Sequence, residues 1–61
     1  MANIISLGIK YIKEGKSFSL INQYGESKDF IVDSIIFNYK DFKSYVKISE
    51  ELGEILNINL I

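Results

Sequence analysis

From Ile5 onward the chain alternates, with Ile5, Leu7, Ile9 and Tyr11 on one face and Ser6, Gly8 and Lys10 on the other. A period of two predicts a half-buried strand. Residues 2–13 also admit a helix, against which Gly8 and the β-branched isoleucines count. Glu14-Gly15-Lys16 then signals a turn. Residues 17–22 read as a second strand, with Phe18 and Leu20 opposite Ser17, Ser19 and Ile21. Tyr24-Gly25-Glu26 supplies the next turn, and a third strand is expected over residues 28–36. Three strands joined by short turns predict an antiparallel meander.

At Asn38 the period changes. Asn is a good N-cap, Asp41 stands three residues on where a capping-box acid belongs, and Phe37 with Phe42 could staple the first turn. Phe42, Tyr45, Val46, Ile48 and Leu52 follow helical spacing. Gly53 is placed to end that helix as its left-handed C′ residue. Leu56, Ile58 and Leu60 then alternate with Asn57 and Asn59 as a final strand. The order βββαβ predicts an α+β fold: one domain, residues 1–61, with one helix on one face of a small antiparallel sheet.

The third strand raises a packing problem. It offers Phe30, Val32 and Ile36 to one side and Ile31, Ile35 and Phe37 to the other. One helix covers one face, and an open apolar sheet face is a large patch for a monomer. Ile31, Ile35 and Phe37 are therefore the expected dimer interface. Length sharpens the point, because a chain of 61 residues buries proportionally little surface and such scaffolds usually need a disulfide, a metal or a partner. With no Cys and no His, neither a disulfide nor a Cys/His zinc site can form. A homodimer is the remaining expectation, with no cofactor and no metal.

Net charge −1 gives no global pull toward nucleic acid or anionic membrane. The apolar runs Ile4-Ile5 and Ile35-Ile36-Phe37 are too short to span a bilayer, and the start of the chain lacks a signal-peptide pattern. The expected location is the cytoplasm. All seven basic residues are Lys and isoleucine is the commonest residue, a bias associated with AT-rich genomes such as those of low-GC Gram-positive bacteria and their phages.

Candidate chemistry is sparse. There is no His or Cys to act as nucleophile or base at neutral pH. Asp29 and Asp33 share a face of the expected third strand, a pattern more typical of a solvated edge than of acid–base catalysis. The glycines stand singly at 8, 15, 25 and 53 and form no phosphate loop. The chain is expected not to be an enzyme. Lys40, Lys43 and Lys47 line one side of the helix and suggest, as an alternative, a small nucleic-acid-binding regulator. The absence of Arg and the acids that follow favour a solvated helix face instead. A structural assembly subunit is a third reading. Glu50, Glu51 and Glu54 gather at the helix C-terminus, where the macrodipole disfavours negative charge, and are candidates to meet a basic groove on a partner. Partial offset by Lys47, three and four residues earlier, is the equal alternative. Tyr39 and Tyr45 suit a contact surface, whereas Phe42 is either core or an anchor.

The turn at Gly25, the segment FNYKDF (37–42) and the segment EILNINL (54–60) together resemble the small phage inhibitors of host uracil-DNA glycosylase, over about residues 16–61. The resemblance implies two strands, a helix and a final strand, a dimer, and occupation of the enzyme's DNA-binding groove. It also implies that Asp41-Phe42 matches the family's Asp-Phe pair, whose Phe plugs an apolar pocket of the enzyme. The chain departs from the pattern at Lys43, where the family carries an acid, and at Val46, where it carries Tyr, with Tyr45 adjacent. The expected function is a non-enzymatic phage inhibitor that binds a host protein as a homodimer and blocks it by occlusion. Uracil-DNA glycosylase or a defence-system nuclease or helicase would be the target, reached in the host cytoplasm. Tyr39, Asp41, Phe42, Tyr45, Glu50, Glu51 and Glu54 are the expected partner-binding residues.

Overall fold

Two helices and three strands follow one another as α1 (Ile4–Lys13), β1 (Phe18–Ile21), β2 (Ser27–Phe30), α2 (Tyr39–Glu51) and β3 (Asn57–Leu60). This computed structural model describes residues 3–33, 37 and 39–61. The architecture is α+β, with an antiparallel sheet ordered β2-β1-β3.

The expected first strand is a helix, which corrects the βββαβ order. Asn3 is its N-cap: the side-chain Oδ1 accepts the Ile5 N–H at 2.9 Å, satisfying a donor that the first turn would otherwise orphan. At the other end the Lys16 N–H donates to the Tyr11 carbonyl and the Gly15 N–H to the Ile12 carbonyl. Gly15 takes φ +71°, so Glu14-Gly15-Lys16 is a Schellman helix stop rather than a hairpin turn. Lys10 and Lys13 in the last turn suit the negative end of the helix dipole. Ile4, Gly8 and Ile12 recur every four residues, and Gly8 and Ile12 are buried.

The second helix ends in the same way, with Glu54 N–H to the Ser49 carbonyl, Gly53 N–H to the Glu50 carbonyl and φ +76° at Gly53. Here the reading of Gly53 holds. Phe42, Val46 and Ser49 are its buried positions, while Ile48 and Leu52 are exposed. The proposed N-cap Asn38 lies outside the described residues. Phe37 meets Phe30 at 6.3 Å and Tyr39 at 6.0 Å between ring centroids.

Strand register shows where the core sits. Phe18 is paired with Phe30 on one side and Leu60 on the other, and Leu20 with Lys28 and Ile58. These six residues share the face toward the helices. Phe18, Leu20, Phe30, Ile12, Phe42 and Val46 form one buried cluster. Its aromatic centre is close-set: Phe42 stands edge-on to Phe18 at 5.4 Å and to Phe30 at 5.6 Å, and Phe18 stacks on Phe30 at 5.5 Å.

The opposite face carries Ser19, Asp29 and Asn59 in one row and Ile21, Ser27 and Asn57 in the next. It is polar apart from Ile21, and the Ser19 hydroxyl donates to Asp29 Oδ1 across it at 2.6 Å. The expected open apolar sheet face is therefore absent among the described residues. β2 ends at Phe30, so Ile31 and Val32 do not continue the strand. Ile35 and Ile36 lie outside the described residues.

Candidate functional site

An open groove of about 570 Å³ runs between the edge strand β2 and helix α2. Phe30, Phe37 and Tyr45 line it together, Lys28, Asp29 and Ile31 come from the strand side, and Asp41, Ser44 and Ile48 from the helix. The helix supplies its share by spacing alone, since positions 41, 44, 45 and 48 lie on one side of an α-helix. Tyr45 is held by an edge-on contact with Phe30 at 5.7 Å between centroids. Lys28 Nζ sits 5.8 Å from the centroids of both Phe30 and Tyr45, so its charge bridges strand and helix over the aromatic surface. Ile31 is 63% exposed and Ile48 56% exposed, so the groove presents two aliphatic groups beside its aromatic floor.

The structure brings together four of the residues singled out from the sequence: Asp41 and Tyr45 among the expected partner contacts, Ile31 and Phe37 among the expected dimer contacts. Tyr39 is exposed and packs edge-on against Phe37. Ile31 and Phe37 do not lie on an open sheet face; both follow β2 and line the groove. Lys28 and Ser44 also line the groove without a sequence signal, while Asp29 and Ile48 line it after being expected as a solvated edge and an apolar helix position. Ile48 carried a signal, as an apolar position on the helix one turn beyond Tyr45.

Phe42 belongs elsewhere. It is 0% exposed, beneath α1 and against Phe18 and Phe30, and so cannot plug a partner's pocket from this fold. Of its two readings, core and anchor, the structure places it in the core. Its ring lies between the sheet, at Phe18 and Phe30, and Gly8 of α1, the helical alternative for the first segment.

Glu54 is likewise engaged within the chain. The Asn22 side chain is buried; its Nδ2 donates to Glu26 Oε1 at 2.9 Å and to Glu54 Oε1 at 3.3 Å, and its Oδ1 accepts the N–H groups of Tyr24 and Glu26, both at 3.0 Å. One amide thus holds the β1–β2 turn and ties it to the segment after α2. Gln23 adds a second tie, accepting the Ile55 N–H at 2.7 Å and donating to the Gly53 carbonyl at 3.5 Å. Glu50 and Glu51 are exposed and do not line the groove. Lys40, Lys43 and Lys47 are exposed along α2. Asp29 and Asp33 do not share a strand, since Asp33 lies beyond the end of β2.

Among the described residues no group of three His, Cys, Asp or Glu side chains is placed to hold a metal ion, and no helix is long and apolar enough to cross a membrane. The chain matches no protein-family model, no curated protein and no solved structure.

Proposed function

We propose that this chain is a small non-enzymatic inhibitor that binds a host protein through the β2–α2 groove and acts by occlusion. The observation that carries the reading is the exposure of Ile31 and Ile48 beside the Phe30, Phe37 and Tyr45 rings. A shallow aromatic-lined groove suits an apolar side chain of a partner, with Tyr providing area and a polar tip at low entropic cost. Asp41 flanks the groove from α2 and favours a partner segment with a basic neighbour, which would speed encounter. The lysine- and isoleucine-rich composition supports a phage of a low-GC Gram-positive host as the source. The likeness of residues 16–61 to uracil-DNA glycosylase inhibitors makes that enzyme a first target to assay, with the β2–α2 groove as the contact in place of the buried Phe42. A homodimer completes the proposal.

The test pairs the wild-type chain with Ile48→Asp, a change at an exposed helix position. Purified protein is assayed against uracil-DNA glycosylase and used for capture from lysate of such a host, with circular dichroism as the check on folding. A host protein retained by wild type and lost with Ile48→Asp is the expected result. An identical set of retained proteins with both would overturn the groove assignment.

A further inference from the structure

The sheet has two edges, β2 and β3, and they are built differently. The Asn22 N–H bonds to the Glu26 carbonyl, and the Ile61 N–H bonds to the Ser17 carbonyl. Antiparallel ladders alternate between hydrogen-bonded and non-hydrogen-bonded pairs. With the observed registers, residues 18 and 20 of β1 therefore bond to β2, while 19 and 21 bond to β3. It follows that the backbone groups of Ile58 and Leu60 point away from β1, as do those of Ser27 and Asp29 on β2.

Edge strands that stay unpaired usually carry charge, a proline or a bulge. β2 carries Lys28 and Asp29. A two-fold pairing of β2 with itself about position 28 would set lysine against lysine, and about position 29 aspartate against aspartate. Like charges directly opposite oppose pairing. β3 has no such guard. Residues 55–61, Ile-Leu-Asn-Ile-Asn-Leu-Ile, contain no charge and no proline. Leu60 is 51% and Ile61 68% exposed.

The geometry points to a second copy of this chain as the occupant of the β3 edge. Two antiparallel strands related by a two-fold axis place like faces together, so the axis must pass through a residue position rather than between positions. An axis at Asn59 sets Ile58 opposite Leu60 of the second copy, and Leu60 opposite its Ile58. These are the residues whose backbone groups face outward, so the pairing closes four hydrogen bonds. It also makes two apolar cross-strand pairs on the helix-facing side. Asn59 meets its own copy at the axis on the polar side. The two sheets become one of six strands, and the contact is isologous. This inference rests on the homodimer in the proposed function and leaves the β2–α2 groove open on each copy.

The chain contains no cysteine, which permits a direct test on the full chain. Non-hydrogen-bonded antiparallel partners have Cα atoms about 4.5 Å apart, within disulfide reach. Asn59→Cys under mild oxidation should give a cross-linked dimer. Asn57→Cys should give little, since its copies would stand four residues apart, about 13 Å along the strand. Both positions are exposed in the single chain. Sedimentation velocity of the wild type should show a dimer, and Asn59→Lys should weaken it at least tenfold. A wild-type monomer throughout the concentration series overturns both the homodimer and this interface. A dimer in which Asn57→Cys links as readily as Asn59→Cys, or which Asn59→Lys leaves intact, overturns this interface alone.

Discussion

The ring of Phe42 occupies the space that any side chain at Gly8 would need. A Cβ at position 8 would overlap Cζ of Phe42 and lie 2.8 and 2.9 Å from Cε2 and Cε1. The glycine inside α1 thus allows α1 to close over α2, with the aromatic centre of the core directly below.

Gly8→Ala should destabilise the fold even though alanine is the better helix former by about 1 kcal/mol. Overpacking a close-set core typically costs about 1–3 kcal/mol. Combining it with Phe42→Leu should cost less than the two single changes added together, because the smaller side chain frees the space that the methyl needs. Denaturant unfolding of the four proteins gives the coupling energy. A neutral or stabilising Gly8→Ala would refute the contact.

Gly15 and Gly53 supply the contrast. Each has positive φ and open space around the position of a Cβ. Alanine at either site should cost about 1–2 kcal/mol through backbone conformation alone, and Phe42→Leu should not relieve it. Thermal melts of Gly15→Ala and Gly53→Ala, each with and without Phe42→Leu, measure that independence.

Phe42→Ala should act on folding before binding. Truncating a fully buried Phe costs about 3–5 kcal/mol, which for a domain this small is most of its stability. The expected signature is loss of the cooperative unfolding transition. A folded Phe42→Ala protein with near-native stability would show that the ring is not the core residue described above.

Asn22 organises the β1–β2 turn, so Asn22→Ala should destabilise by about 1–3 kcal/mol. Asn22→Asp should be no better at neutral pH. It keeps the acceptor for the Tyr24 and Glu26 N–H groups but replaces the donor to two glutamates with a third negative charge. Stability of Asn22→Asp indistinguishable from wild type would contradict the bonding described here.

Local signals along the chain are decisive where they are exclusive. β1 was legible because Phe18 and Leu20 alternate with Ser17 and Ser19 and nothing helical competes. The α2 stop was legible because Gly53 follows a helical pattern. The first thirteen residues carried two patterns at once, with Ile5, Leu7 and Ile9 at period two and Ile4, Gly8 and Ile12 at period four. Asn3 as N-cap and Gly15 as C′ were the discriminating signals, and both belong to helix ends rather than to hydrophobic spacing. Gly8 weighed against a helix on propensity, yet its reason is a neighbour 34 positions away.

The sequence by itself determined an α+β domain, the β1 strand with its inward pair Phe18 and Leu20, the asparagine-alternating final strand and the glycine stop of α2, because backbone preference and side-chain period act over a few residues. Only the tertiary structure decided that α1 closes over α2 through Gly8, that Phe42 is core, that the far sheet face is polar, and that Ile31, Tyr45 and Ile48 share a groove. Those outcomes depend on which surfaces meet, and close packing between distant segments is settled by volume and shape that no local pattern contains.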